Sequence, residues 1–91
     1  MKTNQVNKTS AEVAAFNTAT RDSLGALRAA VNWLSDGIEG EQAAELLRQT
    51  KPPEPELATR MERVAALSEK GDAVGAVAIA MNTLRQFEEA A

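Results

Sequence analysis

One line of large apolar residues constrains this chain more than any other feature. Val13, Phe16, Leu24, Leu27, Val31, Leu34 and Ile38 recur at helical spacing, with Thr20 in the same line. From Thr20 the intervals run 4, 3, 4, 3, 4, which is a heptad seam and not the period of two that a strand requires. Thr9-Ser10-Ala11-Glu12 fits a capping box at its start, and Asp36-Gly37 supplies a stop, since glycine takes the left-handed conformation that closes a helix. About 27 residues at 1.5 Å each predict a rod of roughly 40 Å, long for a chain of this size and suggestive of a partner.

The remaining punctuation places three more helices. A short second helix is expected over 41–49, with Ala44, Leu47 and Leu46 facing inward. Lys51-Pro52-Pro53-Glu54-Pro55 cannot be helix interior, although Pro55 suits a first helical turn. A third helix follows over 55–70 with Leu57, Met61, Val64 and Leu67 on one face. Gly71 closes it and Asp72 caps a fourth, which runs to about Glu89 with Val74, Val77, Met81, Leu84 and Phe87 as its apolar stripe. The expected fold is therefore all-α: a small helical bundle with a long N-terminal amphipathic helix, a short second helix and a C-terminal antiparallel αα-hairpin. Alanine at 18 of 91 positions, no Tyr and only three Phe and Trp agree with helix throughout. Residues 1–8 are polar and aperiodic and read as a disordered tail, leaving 9–91 as a single helical domain. The stretch from Leu67 to Asp72, followed by Ala76, resembles the turn of a tetratricopeptide hairpin, but the preceding helix lacks that family's pattern and one unit cannot form a solenoid.

A chain of 91 residues has a thin stability margin, and small domains often add a disulfide, a metal or a partner subunit. With no Cys and no His, the sequence offers no disulfide and no ordinary ligand set for zinc, copper or non-haem iron. That leaves association, so a protein partner or a homodimer through helix 1 is expected, with no cofactor and no small-molecule substrate. The lack of Cys fits a reducing compartment, and the longest uncharged stretch, from Ala73 to Leu84, is 12 residues against the roughly 20 that span a bilayer. A cytoplasmic location with no membrane partner is the expectation.

Catalytic chemistry finds no foothold in the motifs. Ser10, Ser23, Ser35 and Ser68 have no His to act as base. The carboxylate pairs Glu54/Glu56 and Glu88/Glu89 lie in a proline turn and near the end of helix 4, where solvated charge is the plain reading. Gly25, Gly37, Gly40, Gly71 and Gly75 form no phosphate-binding loop, and the segment from Ser35 to Glu41 lacks the alternating oxygen ligands of a calcium loop. No enzyme is expected. A helix-turn-helix reader would need donors at the start of its second helix, yet residues 73–84 carry no charge.

The net charge of −3 divides into +2 over residues 1–30 and −5 over 31–91. An acidic body suits protein contacts better than phosphate backbones. The leading expectation is a non-catalytic protein–protein interaction module, such as a small adaptor, chaperone-like or regulatory protein. The alternative is a nucleic-acid-associated transcriptional regulator using the basic N-terminal third. Opposite the seam, Ala15, Ala19, Ala26, Ala29 and Trp33, interrupted by Asp22, make a second apolar face on helix 1. On helix 4, Ala73, Gly75, Ala76 and Ala80 make a smooth patch expected to pack closely against helix 1, and Ile79 lies off both that patch and the aliphatic stripe. Ala15, Ala19, Ala26, Ala29, Trp33 and Ile79 are the interface candidates, because tryptophan anchors interfaces and small residues allow close helix approach. The competing account has helix 2 folding onto the Trp33 side while helices 3 and 4 cover the seam.

Overall fold

The computed structural model describes residues 10–90, with side chains placed up to Glu88. The expected tail over 1–8, the Thr9 cap and the Glu89 side chain lie outside the described residues. Four helices follow in order: α1 (Ser10–Ser35), α2 (Gly40–Gln49), α3 (Pro55–Glu69) and α4 (Ala73–Ala90). No strand occurs among the described residues. The all-α bundle and its C-terminal αα-hairpin are as the punctuation indicates.

Two glycines close helices by the same device. Gly37 has φ +84°, its amide donates to the Leu34 carbonyl at 3.2 Å, and the Ile38 amide donates to the Trp33 carbonyl at 2.9 Å. Gly71 has φ +88°, with Gly71 donating to Ser68 at 3.1 Å and Asp72 to Leu67 at 2.9 Å. Each is a Schellman motif, which satisfies carbonyls the last turn would leave unpaired and requires a left-handed residue. Asp72 serves both helices of the hairpin. Its amide ends α3, and its carboxylate accepts from the Gly75 amide at 2.9 Å to start α4. Thr50 closes α2 through its own hydroxyl, which donates to the Leu46 carbonyl at 3.0 Å, and Pro55 opens α3.

Each helix packs on the next, and α4 returns to α1, so the four make a closed ring around one core. Leu24, Leu27, Ala30 and Leu34 come from α1, Ala43, Ala44 and Leu47 from α2, and Leu57, Met61, Val64 and Ala65 from α3. Fully burying a Leu, Val or Met contributes roughly 1.5–3 kcal/mol, so these few positions supply much of the driving force. Helices α2 and α3 come into close backbone contact where Gly40 faces Ser68: a Cβ at Gly40 would run straight into the Ser68 carbonyl oxygen.

The structure corrects two expectations. First, α1 packs chiefly on α4 and α2, with α3 across the core; the seam is not covered by α3 and α4 together. Only its C-terminal half is used, because Ser10 to Thr18 is exposed throughout and Val13 and Phe16 contribute nothing to the core. Second, the aliphatic stripe expected on α4 is inward only in part: Val77, Leu84 and Phe87 are half-buried against the core. Ala76, Ala80 and Thr83 are fully buried, whereas Val74 and Met81 are exposed. The physical reason is side-chain size: small residues such as Ala76 and Ala80 suit a helix packed against α1, where a line of Val and Met would hold the pair apart. The Thr83 hydroxyl costs little there, since it donates to the Ile79 carbonyl of its own helix at 2.7 Å.

Candidate interaction surface

The two broad faces of the ring differ in chemistry. On the α2–α3 side, Arg48 holds Glu62 through two parallel bonds of 3.1 and 2.7 Å and also reaches Glu69. Glu56 accepts from Arg60 at 3.2 Å and from Gln86 at 3.3 Å. The Arg48 guanidinium holds the Glu62 carboxyl below the usual carboxylate range, and the hydrogen bonds to Glu62 and Glu69 raise Arg48 further above its ordinary value. Arg48, Glu62 and Glu69 are hydrated, so they tie α2 to α3 without desolvated charge, while the Gln86 bond joins α4 to α3.

On the α1–α4 side the surface is apolar. Leu34 and Ser35 at the end of α1 and Ala73, Val74, Val77 and Ala78 at the start of α4 line an open groove of about 350 Å³. Val74 is 83% exposed and Met81, two turns on, is 51% exposed. Val77 and Leu84 flank them, half-buried against the core. A solvent-exposed ion pair between Arg28 of α1 and Glu88 of α4 joins the two helices at the far end.

The interface candidates read from sequence do not form one patch. Ala26 is 8% exposed and belongs to the core. Ala19 and Ala29 are half-buried, while Ala15 is exposed on the projecting start of α1. Trp33 is 37% exposed and lines a hollow with Gln42, Glu45, Leu46 and Gln49, so α2 lies along the Trp33 side. Ile79 packs against the core and borders a hollow between α3 and α4 with Glu56, Thr59, Arg60, Arg63 and Asn82. The residues that do form a continuous apolar surface are Val74, Val77, Ala78 and Met81. Three of them belong to the stripe that periodicity alone assigns to the inside of α4. The signal against that assignment is the row Ala76, Ala80 and Thr83, whose small side chains fit a close helix contact equally well.

Among the described residues no group of three or more Asp and Glu is placed to hold a metal ion. None of the described helices is long and apolar enough to cross a membrane. Of the basic residues in the N-terminal third, Arg28 is engaged by Glu88 and Arg21 is exposed beside Asp22, while Lys2 and Lys8 lie outside the described residues. Ser68 has a buried hydroxyl without a partner, next to the Gly40 contact. No protein-family profile, curated protein or solved structure matches the chain.

Proposed function

We propose that the chain is a non-catalytic protein–protein interaction module that works by burying its α1–α4 face on another protein. Adaptors, chaperone-like proteins and regulators that mask a partner are of this physical type. The observation that carries the reading is the exposure of Val74 and Met81 beside an apolar groove, on a helix that has no charge over residues 73–84. Single exposed apolar residues are ordinary on any protein, but a contiguous patch rimmed by charge marks an interaction surface. Here the patch spans two helices and has charges only at its ends.

The test is capture of partners from native extract by the tagged chain, with and without nuclease, for the wild type and Val74→Glu. The expected result is a protein that survives nuclease and is lost with Val74→Glu. Loss of every partner on nuclease treatment would move the assignment to the nucleic-acid reading.

A further inference from the structure

We infer that the occupant of the α1–α4 face is a second copy of this chain, docked with its α4 antiparallel to the first. The inference rests on the protein-interaction reading above and names the partner within it.

The distribution of charge along the face carries the argument. At one end, where α1 stops and α4 begins, stand Asp36 and Asp72, both exposed, with exposed Lys70 in the same turn and the Asp72 carboxylate also capping α4 at Gly75. At the other end stand exposed Arg28 and Arg85, with Glu88 balancing one of them. Between these ends, the outward line of α4 passes through Val74, Ala78 and Met81 before reaching Arg85, at intervals of 4, 3 and 4. The face is thus an apolar strip with an excess of one negative charge at one end and of one positive charge at the other.

Such a strip is complementary to itself in one of the two possible two-fold arrangements. An axis lying in the interface and running along the helices would set acidic end on acidic end, which is repulsive. An axis lying in the interface and crossing the helices reverses one copy end for end, so each acidic end meets a basic end. With that axis near Ala78, Asp72 and Arg85 each lie about 10 Å from it along α4, so each meets the other's counterpart in the second copy. Ala78 then sits where the two α4 helices cross, and a small residue there allows the close approach that helix packing favours. Val74 and Met81 flank the crossing and lose their exposure. The strip is about 20 Å long and two helices wide, smaller than the roughly 800 Å² per partner of standard interfaces, so the dimer is weak and depends on concentration and salt.

Sedimentation velocity on the full chain, from about 10 to 500 μM at low and high salt, reads this directly. The expected result is a monomer–dimer equilibrium that weakens as salt rises, because the end charges are exposed. Val74→Glu should raise the dissociation constant at least about ten-fold, by placing a carboxylate in the apolar strip. Arg85→Glu should weaken the dimer by setting like charges against each other. Adding Asp72→Asn, which keeps the capping oxygen, should restore part of the loss. Since the chain has no Cys, Ala78→Cys reports on the axis alone and should oxidise to a covalent dimer. Circular dichroism of each variant confirms that the helices are intact, and Met81→Lys replaces Val74→Glu if the latter loses helix. A chain that stays monomeric at the highest concentration overturns the inference while leaving capture of another protein as a separate result. A dimer indifferent to Val74→Glu and Arg85→Glu, or one in which Ala78→Cys does not cross-link, overturns it as well.

Discussion

The α2–α3 side and the α1–α4 side use the same kinds of helix and reach opposite surfaces. On the first, Leu47, Leu57, Met61 and Val64 point inward, and Arg48, Glu62 and Glu69 hold the outside together. Large residues go to the core and charge to the solvent, as a stable surface requires. On the second, the core takes Ala30, Ala76, Ala80 and Thr83, and Val74 and Met81 are left outside. Leu24, Leu27 and Leu34 of α1 are also buried there, so this pair contributes to the core while leaving two large residues of α4 in solvent. The contrast separates a side built for folding from a side available for contact.

The contrast can be attacked where the folding side is tightest. Gly40→Ala drives a methyl into the Ser68 carbonyl oxygen, which is backbone and cannot swing aside. It should destabilise by about 3 kcal/mol or more, read as a fall in the urea midpoint. Next in size is the paired truncation of Leu57→Ala and Val74→Ala. Leu57 is fully buried and should cost about 2–5 kcal/mol, while exposed Val74 should change stability by no more than about 0.5 kcal/mol. Equal costs at the two positions would erase the distinction between the faces.

Smaller effects sharpen the same comparison. Gly25 sits inside α1, and a methyl added there would meet nothing within 4 Å. Gly25→Ala should therefore stabilise by about 0.5–1 kcal/mol through helix propensity alone, read in the same urea titration. The smallest effect concerns pH. Arg48 lowers the folded-state pKa of Glu62, so this pair's contribution is present above the ordinary carboxylate pKa and is lost as pH falls through the lowered value. Both groups are exposed, so acid titration of Arg48→Met should differ from wild type only slightly, and less still at high salt.

The helix boundaries are legible in the sequence because they rest on local chemistry. Gly37, Gly71, Asp72 and Pro55 each do at one position what their side chains, or lack of one, allow. The inward faces of α2 and α3 are legible too, since their opposite faces are charged and periodicity has one solution. Helix α4 is legible only in part: the smooth patch with Ala76 and Ala80 reads as packed on α1 and both are fully buried, but the aliphatic stripe beside it reads as inward too, and its Val74 and Met81 are exposed. How much of that stripe is covered depends on where α1 and α3 lie, a tertiary quantity that no window of α4 contains. The same limit applies to Ala26, assigned to an outer face of α1 and found in the core, and to Val13 and Phe16, which follow the seam past the point where the bundle covers it.

Hydroxyl-radical footprinting with the chain free and in complex tests the central claim most directly, because methionine is readily oxidised and the chain carries its own reference. Met81 is 51% exposed and Met61 is 2% exposed. Strong oxidation of Met81 in the free chain, its loss on association, and steady labelling of Trp33 would match contact through the α1–α4 face. Unchanged labelling of Met81 with protection of Trp33 would place the contact on the α1–α2 side and contradict it.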